Sequence, residues 1–367
     1  MMRPSAASWQ RRSVRGRLIV RTFGPLLAIA LGSLVILLAR GSPIAAYGAL
    51  LQGALGSVQG FSETLTQTTL FIFAGLSVAL AFRAGLFNIG AEGQLVVGAL
   101  CAAVVGTHVH VAKPLEVPIC FAAGALGGAF WGFIAGFLRA RFGASEVITT
   151  IMLNYIAYLS VNYLVAGPLR GSPLAPETAT IDTAAMLNPI IPGTRLTAAF
   201  PFAIVVAVAA WWWLKRTVSG FELRTVGRSE RVARYAGMSV QAIIVKTMML
   251  SGALAGIGGA CEVMGLLHRF NAQLSPGYGF TSIAVALLAQ SNPLGVIASA
   301  FFFAVLANGA LSMQALALVP KDLVSIIEGL IILFASANWM GSQFALHRSR
   351  GSEPANEGDE PVAAGST

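Results

Sequence analysis

Arg83, Asn88, Glu92 and Gln94 fall within the thirteen residues FRAGLFNIGAEGQ, in an otherwise apolar region. Ionisable groups at membrane depth are costly, and such residues default to functional roles. Gly85, Gly90 and Gly93 interrupt helix regularity in the same stretch. Irregular backbone is tolerated at that depth only where it is buried in protein or lines a wet cavity, so this segment is expected to face the interior of a bundle. Asn154 and Asn162, two turns apart, and the acids Glu262 and Glu328 add polar groups to other apolar segments. Two uses fit these residue types. Asn88, Glu92, Gln94, Asn154 and Glu262 line a polar translocation path, or they hydrogen-bond one helix to another.

Covalent and metal chemistry find less support. His108 and His110 form an H-x-H pair with no acidic or cysteine ligand in obvious reach, and a metal site needs three or four ligands; no metal is expected. Cys101, Cys120 and Cys261 lie in hydrophobic segments without metal-site spacing and read as small packing residues. No nucleophile elbow or zinc-protease motif is present, and a phosphate-binding loop needs a lysine after glycine. None of Lys113, Lys215, Lys246 and Lys321 follows a glycine. A nucleotide that drives this protein is bound by another chain.

The elements that position these groups are membrane helices. The 367 residues are 56% hydrophobic and 11% charged, against about 25% charged in soluble domains. The net charge of +9 sits at loops and the N-terminus, which fits retention of positive charge on the cytoplasmic side and contact with anionic headgroups better than nucleic-acid binding. Hydropathy and flanking charges predict an all-α polytopic protein with about ten spans in one bundle: residues 23–39, 62–82, 86–106, 117–138, 146–166, 197–214, 242–267, a short 280–290, 294–311 and 323–339. Residues 1–21 form a basic cytoplasmic segment, 22–340 the transmembrane domain, with the basic loop 215–240, and 348–367 a tail of disordered composition. Residues 167–196, rich in Pro and Thr, are expected outside. Both termini are then cytoplasmic.

Two further patterns stand out. Gly124, Gly128, Gly132 and Gly136 recur every four residues, and Gly252 and Gly256 repeat the spacing, so each set forms a smooth stripe for close helix packing. The polar stretch 215–240 carries Lys215, Arg216, Arg224, Arg228, Arg231 and Arg234 against Glu222 and Glu230. It is expected in the cytoplasm, with one short helix over 229–236 that Ser229 caps and Gly237 stops.

FRAGLFNIGAEGQLVVGAL, EVITTIMLNYIA, GFELRTVGRSERVARYAGM, LSGALAGIGGACEV and GYGFTSIAVALLAQSNPLGV occur in that order. Together they resemble the permease subunits of bacterial ABC importers of the nucleoside and simple-sugar type, a family related to branched-chain amino acid and ribose permeases. The resemblance covers about residues 53–337. It implies an inner-membrane subunit that pairs with a second permease and with ATPase subunits carrying ATP and magnesium. An extracytoplasmic solute-binding lipoprotein would deliver the solute, and no cofactor would be bound by this chain. It also implies that Gly227, Arg228, Ser229, Arg234, Tyr235, Ala236 and Gly237 form the loop that docks on the ATPase; the family often has asparagine where this chain has Ser229. The alternative is an ion-coupled secondary transporter using Glu92, Glu262 and Glu328.

Overall fold

The computed structural model describes residues 30–330, apart from 39–40, 174, 318–319, 321–322 and 327–328. The expectations for residues 1–21, for 348–367, for Glu328, for part of the first span and for most of the last lie outside the described residues. The chain runs through α1 (Ala30–Leu38), α2 (Pro43–Leu55), α3 (Val58–Arg83), α4 (Ala91–His108), α5 (Lys113–Phe142) and α6 (Glu146–Ala166). It continues with α7 (Ala199–Arg216), α8 (Val218–Arg228), α9 (Glu230–Tyr235) and α10 (Val240–Glu262), which passes into a π-turn at Val263–Leu267. It then forms α11 (Tyr278–Leu288) and α12 (Pro293–Ala317). Among the described residues the only β pairing is two isolated bridges, Glu177 with Asn271 and Pro189 with Thr197.

The expectation of about ten spans is not reproduced. Seven described helices are long and apolar enough to cross a membrane, or eight if α1 and α2 together make one broken span. Proline at the first position and the Ser42 side chain, which accepts the Ala45 N–H at 3.5 Å, start α2 as a separate helix that hydropathy alone had not marked. The segment expected as a short eighth span is an eleven-residue helix, about 16 Å long, roughly half the ~30 Å hydrocarbon core. The third span begins at Ala91 rather than residue 86, because residues 86–90 are not helical.

The core is a glycine seam. α5 and α10 pack most extensively, with α4 wedged against both. Gly128 lies on the carbonyl of Gly252, Gly124 on that of Gly256, Gly132 on that of Met248, and Gly136 on the Met248 side chain. The two stripes seen in the sequence thus meet each other within one chain, with Gly98 of α4 against Gly256 completing a three-helix crossing. Without side chains at the crossing, backbones approach closely, which is how helices gain packing contact where no hydrophobic effect separates protein from lipid.

The bundle has two chemically different ends. At one, the Arg83 Nε donates to the Ser291 carbonyl at 2.8 Å, and Arg139 lies 3.4 Å from Glu146 and 3.7 Å from Glu230. At the other, residues 167–196 are a packed cap rather than a free loop. Asp182 N–H donates to the Gly106 carbonyl at 2.7 Å, Thr178 N–H to that of Phe270 at 2.9 Å and Leu187 N–H to that of Met264 at 2.9 Å. Arg269–Glu177 at 2.7 Å and Arg195–Glu63 at 3.5 Å fasten the rim.

A methyl group on Gly128 would collide with the Gly252 carbonyl. Gly128→Val is therefore expected to destabilise the bundle by about 1–3 kcal/mol, read as a lowered melting temperature of the purified protein. Gly48→Ala, where nothing lies within 4 Å, should leave melting unchanged or slightly raised.

Candidate functional site

The interruption after Arg83 builds the site. α3 ends, Gly85 takes φ of 75°, and the chain re-enters the bundle as non-helical residues 86–90 before α4 starts at Ala91. Gly85 is needed twice, for its left-handed φ and because Gly227 lies directly against it, 3.3 Å from where a Cβ would sit. Re-entry places Asn88 (0% exposed) beside Ser251, halfway along α10.

Four of the five expected path residues come together here. Asn88 Nδ2 donates to Ser251 Oγ at 2.7 Å and to Gln94 Oε1 at 2.9 Å. Its Oδ1 accepts from Gly90 N–H at 3.0 Å and from Gln94 Nε2 at 3.2 Å. Ser251 Oγ in turn donates to the Ser77 carbonyl at 2.7 Å. Asn154, from α6, accepts the Gly93 N–H at 2.9 Å and donates to the Ile89 carbonyl at 3.0 Å. Two buried carboxamides thus satisfy backbone that the missing helical turn would have left unpaired.

Glu92 completes the junction. It occupies the first turn of α4, and its Oε2 accepts the N–H of Gly279, the second residue of α11, at 2.5 Å. Its Oε1 accepts from the Tyr158 hydroxyl. Two helix N-termini therefore converge on one buried carboxylate. A side chain on Gly279 would strike the Glu92 backbone, so the approach of α11 requires glycine. Sequence reasoning missed Tyr158, Ser251, Ser77 and Gly279. Tyr158 was open to detection, four residues after Asn154 on the same face of α6.

Glu262 stands apart. It faces a small cleft lined by Thr66, Thr69, Leu70, Thr197, Ala199, Cys261 and Gly265, between α3, the start of α7 and the π-turn. Asn162 is also not in line with Asn154: it is exposed on the outer surface of α6, because eight residues advance about 80° beyond two full turns. Among the described residues no group of three or more His, Cys, Asp or Glu side chains could hold a metal ion. His110 Nδ1 pairs with Asp182 at 2.8 Å.

The basic stretch folds as an elbow of two helices, where a single one was expected. Thr217 caps α8, accepting the Gly220 N–H at 3.1 Å. Ser229 ends α8 and caps α9, accepting the Val232 N–H at 3.4 Å. Gly237, with φ of 76°, closes α9, and Met238 N–H returns to the Ala233 carbonyl at 3.0 Å. Arg228, Arg234, Tyr235, Ala236 and Gly237 are exposed, Tyr235 at 92%. Gly227 lies against the Arg83 carbonyl and Ala84, so the elbow touches the turn that leads into the polar junction.

Residues 60–336 match the family model described as branched-chain amino acid transport system / permease component. The chain is 38% identical over 328 residues, 88% of its length and 94% of the relative's, to a guanosine ABC transporter permease protein of Bacillus subtilis. It is 38% identical over 320 residues, 84% of each chain, to a glucose ABC transporter permease protein of Haloferax volcanii. Against a nucleoside ABC transporter permease protein of Lactococcus lactis it is 34% identical over 331 residues, 86% of this chain and 91% of that one.

Asn154→Leu removes the partners of Gly93 N–H and the Ile89 carbonyl. It is expected to cost about 1–3 kcal/mol, seen as a drop in melting temperature, whereas Asn162→Leu on the outer surface should not lower it.

Proposed function

We propose, from the premise that the chain belongs to the family of branched-chain amino acid transport system permease components, how this subunit moves its solute. The protein is a multi-pass membrane permease, the transmembrane subunit of an ATP-driven ABC importer for a small polar solute of the nucleoside or simple-sugar class. The relatives reported above are all named as ABC transporter permeases, which favours ATP-driven transport over ion coupling. ATP and magnesium act on separate ATPase subunits, a second permease subunit completes the pore, and an extracytoplasmic binding lipoprotein delivers the solute to the cap formed by residues 167–196 and 268–277. The basic elbow then faces the cytoplasm, as do both termini, in the bacterial inner membrane.

The observation that carries the mechanism is the contact between Gly227 and the turn at Arg83–Gly85. Closure of the ATPases displaces Arg228, Ser229 and the exposed face of α9, from Arg234 to Gly237. Through Gly227 that displacement reaches the interrupted segment bearing Asn88 and Gly90. In the form described, Asn88, Gln94, Asn154 and Glu92 satisfy one another and the neighbouring backbone, which seals the junction. When the segment shifts, the same groups exchange those partners for the hydroxyl and amide groups of a passing solute. Such an exchange keeps the number of hydrogen bonds nearly constant, so the two states differ little in energy and a partner can bias them.

The test is uptake by the complete importer in proteoliposomes. Tyr235→Ala, which removes an exposed side chain, is expected to leave melting unchanged and to lower ATP-dependent uptake at least about tenfold, an effect of ~1.4 kcal/mol on coupling. Undiminished uptake overturns the docking assignment. Uphill uptake driven by an ion gradient with no ATPase present overturns the ATP-driven reading itself.

A further inference from the structure

We propose that the cleft beside Glu262 is a binding site for one small monovalent cation of sodium-like size. The Glu262 side chain is 3% exposed, and its Oε2 has no hydrogen-bond partner among the described residues. A buried unpaired carboxylate is not left charged in a medium of low dielectric, and no cationic side chain lines the cleft. Arg195, at the same end of the bundle, is engaged with Glu63 at 3.5 Å, and Glu63 precedes Thr66 by one turn of α3.

The other oxygens lining the cleft are threonine hydroxyls, and two of them have spent their protons elsewhere. Thr66 Oγ1 donates to the Ser62 carbonyl at 2.9 Å, and Thr69 Oγ1 to that of Leu65 at 3.0 Å. Each has only lone pairs left to offer. Thr197 Oγ1 already accepts the Ala199 N–H at 3.4 Å and keeps a second lone pair. The cleft thus combines one carboxylate and several hydroxyl oxygens with the Cys261 thiol, and the carboxylate and hydroxyl oxygens are ligands that suit hard cations. A single carboxylate balances a single positive charge. The space beside it is about that of one water molecule, which suits a largely dehydrated ion. The site joins α3, the start of α7 and the end of α10, where the α-helix gives way to the π-turn. An ion held there ties three helices together and stiffens the end of the bundle that carries the cap; it is distinct from the four-residue junction around Glu92.

The experiment is thermal melting of the purified full-length chain in sodium chloride against choline chloride at equal ionic strength. The expected result is a saturable rise of about 2–4 °C with sodium, absent in Glu262→Gln. Melting that is insensitive to sodium, or equally sensitive in wild type and variant, overturns the proposal and leaves a proton on Glu262. If Glu262→Gln does not fold, Thr66→Val decides: the sodium midpoint should rise at least about tenfold, and an unchanged midpoint overturns the site.

Discussion

The acceptance of the Gly279 N–H by Glu92 is the interaction on which the arrangement depends. It joins residues 187 positions apart and turns two interrupted helices into one buried junction. α4 starts inside the bundle and α11 is too short to cross it, so each would expose unpaired N–H groups to a medium without water. The Glu92 carboxylate, with Tyr158 holding its second oxygen, answers for α11 at Gly279, and Asn154 answers for α4 at Gly93. Asn88 and Asn154 do the same for the backbone of residues 89–93. Of the two uses open to these residue types, the interhelical hydrogen bonding is the one these contacts display.

The glycine seam makes such a junction affordable. α5 and α10 meet with backbone against backbone, and α4 is drawn onto both through Gly98. That brings Ser251 close enough to reach Asn88 and the Ser77 carbonyl. A bulkier seam would hold α10 away from α3, and the polar groups of residues 88–94 would lose partners that lie on different helices. Backbone-to-backbone packing on one side and side-chain hydrogen bonds on the other divide the bundle into a glycine-lined frame and a polar insert.

Much of this was legible in the residues, and where it was not the reason is physical. The bounds of Glu146–Ala166 were read correctly because Gly, Ser and a charge stand at one end and Gly-Pro at the other. Ser229 and Gly237 marked α9 because capping is local. The stripe at Gly124–Gly136 was visible from its period, but its partner was not, since pairing of helices is a tertiary fact. α8 was missed because Arg224 and Arg228 drew attention to charge, while its buried Leu223 and Val226 carry the amphipathic pattern. Asn88, Glu92, Gln94 and Asn154 were grouped correctly, whereas Ser251 and Gly279 lie 163 and 187 residues from their partners. Glu262 was placed with them on residue type alone, and its own cleft separates it. Of the ten expected spans, seven or eight are found among the described residues, and the segment expected as a short eighth span is the half-length α11.

That half-length helix also constrains how the protein is made. Eleven residues cannot settle stably across a bilayer unaided, and the N-terminus of α11 is capped by a carboxylate synthesised far earlier. α4 and α6 precede α11 in the chain, so Glu92 and Tyr158 are synthesised before the helix whose Gly279 N–H the carboxylate receives. The second half of the polypeptide is thus completed against groups that the first half supplies.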